Sequence, residues 1–211
     1  LTDPCAVAVL GTNGTECRET RWTTPVRTLR SAAMETTENP TPTTTEFTPA
    51  ELDEAFAQFQ RTVAEIAVSR DWDRYAELFT EDADYIEHAL GTMHGRDEIR
   101  PWIVKTMTRF PGDHMVAFPN LWKVFDAPTG RVIFEVDNPM CDPGDGSVIT
   151  ATNISIITYA GDGLWKCEED IYNPLEFGIA AMQWCDKARE LGTLDDDAAT
   201  WASTFGRAFW G

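Results

Sequence analysis

The sequence predicts an α+β fold in which helices come first, a mostly antiparallel sheet follows, and an extra helix closes the chain. Three observations predict it. Apolar residues recur at helical spacing in the segments from Leu52 to Ile66 and from Ile99 to Met107. The period then shortens to two between about positions 114 and 172, and helical spacing returns after Asn173-Pro174. The separators Ala127-Pro128-Thr129-Gly130, Asp142-Pro143-Gly144-Asp145-Gly146 and Gly161-Asp162-Gly163 carry hairpin-turn chemistry, so the strands between them should pair as a meander.

Taken in order, residues 1–48 hold few periodic apolar positions and end in an acidic Thr/Pro-rich stretch opening at Met34, a composition that builds no core. Disorder is expected there. Because the chain begins with Leu1, Met34 is a candidate for the true start, with the residues before it a gene-model extension. Thr48-Pro49-Ala50-Glu51 has the form of a capping box and should open a helix of about five turns with Leu52, Phe56, Phe59, Val63 and Ile66 inward. Asp71 can cap a short second helix carrying Trp72, Tyr75, Leu78 and Phe79. A strand over Ala83–Ala89 and a turn from Gly91 to Gly95 should follow, then a helix over Asp97–Thr108 that tolerates Pro101 in its first turn. Strands are expected over His114–Phe125, Arg131–Asn138, Val148–Tyr159 and Leu164–Tyr172. The helix from Leu175 should stop at Gly192, so a domain over 49–191 is expected. A tail over 192–211 should carry a short amphipathic helix with Trp201, Phe205 and Phe209 on one side.

Composition narrows the partners. Seventeen Lys and Arg against 35 Asp and Glu leave a formal charge of −18, which repels phosphate backbones and anionic lipid surfaces, so neither nucleic acid nor membrane is an expected partner. No apolar run approaches the length of a spanning helix, and Cys5–Gly11 is too short for a signal peptide, which together point to a cytoplasmic product. Five cysteines at 5, 17, 141, 167 and 185 form no C-x-x-C pair, so no metal site is expected and Cys167 and Cys185 read as small core side chains. The Asp142-Pro-Gly-Asp-Gly string lacks the ligand spacing of a calcium loop and reads as a turn.

Three stretches carry a resemblance: Asp71-Trp-Asp-Arg-Tyr-Ala-Glu-Leu-Phe79, His94-Gly-Arg-Asp-Glu-Ile99 and Glu169-Asp-Ile-Tyr-Asn-Pro174. In this order and spacing the chain resembles the SnoaL-like branch of the nuclear transport factor 2-like superfamily, over roughly Pro49–Phe177. The resemblance implies a strongly curved sheet wrapped around the N-terminal helices, a conical pocket open at one end, and frequent homodimers. It implies no single activity, since the superfamily holds ketosteroid isomerases, limonene epoxide hydrolases, scytalone dehydratases, polyketide cyclases and non-enzymatic binders, so function has to be argued from the pocket.

Side chains alternate across a strand, and polar residues on the pocket face of an apolar strand are the ones to weigh. Glu135 and Asp137 share one face of their strand while Val132, Phe134 and Val136 share the other; Glu168, Asp170 and Tyr172 lie together on theirs. Compared with the epoxide hydrolases, Glu135-Val-Asp137 falls where that group carries Arg-x-Asp and Asp170 where it carries a second catalytic carboxylate; Glu135 in place of the Arg departs from that mechanism. His88 falls where the superfamily turns a polar side chain into the pocket. The expectation is that His88, Asp137 and Asp170 converge as catalytic groups, with Trp102, Trp122, Glu135, Asn153 and Tyr172 lining the substrate site. Such a set, with no cofactor, could perform isomerase, cyclase, dehydratase or hydrolase chemistry on an apolar polyketide-, steroid- or terpene-like molecule. A non-catalytic binding or dimerising module would need similar polar anchors and is the alternative.

Overall fold

The computed structural model describes residues 47–210; the disorder expected for the N-terminal stretch and the candidate start at Met34 lie outside them. Thr48 caps the first helix as expected, its Oγ1 accepting the Glu51 N–H at 3.2 Å, and Pro49 opens α1 (Pro49–Ser69). Leu52, Phe56, Phe59, Val63 and Ile66 form its buried stripe. Trp72–Leu78 is a 3-10 segment rather than an α-helix. Asp71 makes no side-chain cap hydrogen bond, and a stretch this short is held by what it buries, here Trp72, Tyr75 and Leu78, more than by helix propagation.

Strand β1 (Phe79–Glu87) starts four residues before the expected position, and the segment expected as a turn contains strand β2 (Gly91–His94), paired antiparallel with β1 from Glu87↔Gly91 to Asp84↔His94. Only Met93 of β2 is buried, too little for a periodic signal. The chain enters α2 (Arg96–Met107) through Gly95 at φ 72°, where a Cβ would sit 2.8 Å from the Glu81 carbonyl oxygen; a glycine is required there.

The meander is β3 (Asn120–Asp126), β4 (Arg131–Asp137), β5 (Thr152–Gly161) and β6 (Leu164–Ile171). Strand β3 begins six residues later than expected, because Gly112–His114 forms a 3-10 turn and Met115 makes only an isolated bridge with Met140. The six strands lie in the order β2-β1-β6-β5-β4-β3 in one curved, open sheet. All neighbours are antiparallel except β1 and β6, which run parallel with Tyr85 opposite Glu168 and Glu87 opposite Asp170. That junction brings polar residues of distant sequence side by side.

Helix α1 packs on one face of the sheet, Phe56 against Phe134 at 4.8 Å between ring centroids and Phe59 against Trp165 at 5.7 Å. A second, smaller core joins α3 (Pro174–Leu191) to α4 (Asp196–Trp210) through Ala181, Trp184, Cys185, Ala188, Ala198 and Ala202. Asp195 caps α4 by accepting the Ala198 N–H at 2.8 Å, and Trp184 Nε1 donates to the Cys141 carbonyl at 2.7 Å. Among the described residues, no helix is long and apolar enough to cross a membrane.

Candidate functional site

On β1, Ala83, Tyr85 and Glu87 alternate inward; on β6, Glu168 and Asp170 do so; on β5, Asn153 and Ser155 do so. Their polar ends meet. Tyr85 Oη donates to Asp170 Oδ2 at 2.5 Å, while Ser155 Oγ at 2.5 Å and Asn153 Nδ2 at 3.1 Å both donate to Asp170 Oδ1. Asn153 also donates to Ser155 Oγ at 2.9 Å and accepts from Asn138 Nδ2 at 2.9 Å, so its amide is oriented at both ends. Tyr75 Oη, reaching from the 3-10 segment, donates to Glu168 Oε2 at 2.8 Å.

Electrostatics follow from this arrangement. Burial first, and then the neighbouring Asp170 carboxylate, push the Glu168 carboxyl well above its usual range, opposed by the hydrogen bond from Tyr75 and by the nearby Tyr85 hydroxyl. Burial also raises Asp170, but the hydrogen bonds from Ser155, Tyr85 and Asn153 work against it. Two like charges in one desolvated pocket titrate as a pair. Because Asp170 has three donors and Glu168 fewer, burial raises Glu168 more strongly than Asp170. The phenols of Tyr75 and Tyr85 are raised by burial and by these carboxylates, so both stay protonated as donors.

These groups face a cavity of about 460 Å³, within the range of small-molecule sites. Phe59, Val63, Trp72, Ile103, Phe118 and Phe134 form much of its wall. Phe177 and Gly178 of α3 and Trp201 and Phe205 of α4 complete it. The tail expected beyond residue 191 is thus part of the pocket. A Cβ at Gly178 would lie 2.2 Å from Phe205 Cζ, so the absence of a side chain there lets α4 close on α3.

Of the residues singled out from the sequence, Asp170, Asn153, Tyr172 and Trp102 line this cavity. His88, Asp137, Glu135 and Trp122 do not. His88 lies one position past Glu87 on the opposite face, exposed and paired through Nε2 with Glu169 at 2.8 Å. Strand β4 turns Val132, Phe134 and Val136 inward, so Glu135 and Asp137 point away: Glu135 accepts from Trp122 Nε1 at 2.5 Å, and Asp137 accepts from the Thr150 hydroxyl. The expected convergence of His88, Asp137 and Asp170 therefore does not occur. The reason is that the pocket face of β4 is the apolar face that also packs against α1.

Sequence reasoning missed Glu87, Tyr75 and Tyr85, and placed Glu168 beside Asp170 without giving it a role. The alternation Ala83, Tyr85, Glu87 against exposed Asp82 and Asp84 was a usable signal for β1. Tyr75 could be found only once its 3-10 segment was seen to pack across the sheet.

Residues 49–169 match the family model described as the SnoaL-like domain. No curated protein sequence matches the chain. Among solved structures, a Bacillus subtilis protein described as a candidate isomerase is 20% identical, with a TM-score of 0.51 over 61% of this chain and 94% of its own. A Burkholderia pseudomallei protein described as nuclear transport factor 2-like is 18% identical, with a TM-score of 0.46 over 58% and 94%. An epoxide hydrolase of M. tuberculosis, described as LEH-like, is 13% identical, with a TM-score of 0.48 over 74% and 98%. At these identities the likeness is one of fold. With the curved six-stranded sheet, the N-terminal helices and a family match over more than half its length, the chain belongs to the SnoaL-like family of the nuclear transport factor 2-like superfamily.

Proposed function

We propose that this protein transfers protons, without a cofactor, on a small and largely apolar organic molecule, as an isomerase, cyclase, dehydratase or hydrolase. The carrying observation is the Glu168–Asp170 pair, buried in an apolar cavity and tied to Tyr75 and Tyr85. Glu168 supplies the proton as general acid, and its conjugate carboxylate takes one back. Asp170, held ionised by Ser155, Asn153 and Tyr85, sets the proton affinity of Glu168 and positions Tyr85. Trp102 and Tyr172 serve as walls that exclude water. Glu168 thus takes the place expected for Asp137 in the carboxyl pair with Asp170, and His88 has no part in it.

The test is exchange of carbon-bound hydrogen for deuterium, read by NMR, over a panel of cyclic ketones, enones and epoxides that also reports ring opening. Turnover of one panel member, lost in Glu168→Gln and strongly reduced in Asp170→Asn while both variants remain folded, is the expected result. A ligand that binds and reacts equally in both variants would overturn the proposal. The three donors that saturate Asp170 also suit a binding module; in that case both substitutions change affinity and no panel member reacts.

The same proposal includes a homodimer. It is supported by the sheet's outer face, where Val124, Ile133 and Ile156 sit opposite one another across three strands and Ile154 pairs with Ile171. Val124 and Ile171 are exposed in the single chain, and an apolar patch of this kind is characteristic of a protein contact.

A further inference from the structure

Glu87 is not used by this chemistry, and its environment is unusual. It lines the cavity, is 4% exposed, and neither carboxylate oxygen meets a donor at full hydrogen-bond geometry among the described residues, the Tyr172 hydroxyl being the group near enough to bear on it. A buried carboxylate without donors is costly, and native proteins rarely leave one. Opposite it across the parallel junction is Asp170, and Glu168 lies two residues before Asp170 on the same face. Three carboxyl groups therefore share one cavity, while among the described residues no Lys, Arg or His side chain lines it. Aromatic rings surround them, with Tyr85 and Trp102 packed at 4.6 Å between centroids in a tilted arrangement and Tyr172 against Phe177 at 4.9 Å. Acidic groups lacking a protein counter-charge, within aromatic walls, favour a cation over an anion.

We infer that the ligand of this pocket carries a basic amine, bound as its ammonium by Glu87 with its apolar body between the aromatic walls. The inference rests on the small-molecule pocket of the preceding section and narrows the class of molecule. Its N–H groups supply well-placed donors to Glu87, and the ammonium offsets part of the like-charge repulsion in the cavity. The Tyr172 phenol lies at this spot: after burial, its contact with the Glu87 carboxylate is the next cause of its raised pKa. The incoming ammonium takes the place of that hydroxyl. Trp72 and Trp102, whose indole N–H groups have no partner among the described residues, line the same cavity; as neutral donors these groups would donate to a hydroxyl or carbonyl oxygen of any ligand and make no choice by charge.

The test compares benzylamine with benzyl alcohol, matched in shape and differing in charge, by calorimetric titration of the full chain near neutral pH. Wild type should bind the amine at least about tenfold more tightly than the alcohol, the scale of one charge-assisted hydrogen bond. In Glu87→Gln the amine should lose that advantage while alcohol binding is retained, and in Tyr172→Phe amine binding should be kept or strengthened. Retained alcohol binding also certifies that the Gln variant is folded; if that variant fails to fold, the wild-type preference and the Tyr172→Phe result still decide. Equal affinity of wild type for both probes overturns the amine assignment and leaves the pocket reading standing. An amine preference that survives Glu87→Gln and disappears in Asp170→Asn overturns the role of Glu87. Failure of both probes to bind removes this inference together with the pocket reading.

Discussion

At the scale of single residues, the site is governed by how few donors each buried carboxyl group finds. Asp170 has three and Glu168 has the Tyr75 hydroxyl, so desolvation acts most strongly on Glu168. The folded protein therefore binds an extra proton, relative to the unfolded chain, between the ordinary carboxylate range and the raised value. In that window the contribution of Glu168 to stability falls as pH rises; it is fully present below the unfolded pKa and gone above the folded one. Gln does not titrate. The stability of Glu168→Gln relative to wild type should thus rise with pH, by up to about 1.4 kcal/mol per pH unit, and then level off. Urea melts of both proteins from about pH 5 to about pH 9 measure this, and a difference that stays flat would contradict the raised carboxyl.

At the scale of elements, the C-terminal pair of helices determines how the pocket is closed. Helices α3 and α4 lie beyond the matched family segment, which ends at residue 169, yet they contribute Phe177, Trp201 and Phe205 to the cavity wall. Their fit depends on Gly178, where an added Cβ would meet the Phe205 ring at 2.2 Å. Gly178→Ala should consequently push the Phe205 ring out, loosen the second half of α4 and cost about 1–3 kcal/mol, the usual range for overpacking. Differential scanning calorimetry reads the cost, and amide hydrogen exchange along α4 reads the loosening. Adding Phe205→Ala to the variant should restore protection in α4; continued loss would mean that Gly178 acts through the backbone of α3 instead. Trp184 anchors the same pair from its other side, through Cys141 and the ring of His114 at 4.4 Å.

At the scale of the whole molecule, the sheet separates two surfaces of different use. Its inner face carries α1 and the pocket, and its outer face carries the Val124–Ile133–Ile156 row. With 35 acidic and 17 basic residues, copies repel one another at long range, so an association has to come from apolar contact. Multi-angle light scattering should give twice the chain mass for wild type and the single-chain mass for Ile156→Asp, with the melting curve of the variant still cooperative. A monomeric wild type would remove the proposed dimer without touching the pocket.

The sequence by itself determined most of the elements and their order, strand β2 and the 3-10 form of Trp72–Leu78 excepted. Thr48, Pro49 and Glu51 mark the start of α1 because a helix leaves its first N–H groups unpaired, and the Gly- and Asp-rich separators mark turns because few residues adopt those backbone angles. It also put Glu168, Asp170 and Tyr172 on one face, since alternation along a strand is a local property. Which face looks inward is not local. Alternation has the same form whether a strand's polar or apolar side meets the core, so Asp137 and Glu135 on β4, and His88 just past β1 rather than Glu87 at its end, could be assigned to the pocket from sequence and were one residue out of phase with it. Only the tertiary structure decided this, through the position of α1 against Phe134 and the parallel pairing of β1 with β6. That pairing joins residues about eighty positions apart in the chain, and it sets Tyr85 and Glu87 beside Glu168 and Asp170 because the two strands share backbone hydrogen bonds, a relation that no periodicity within either strand encodes.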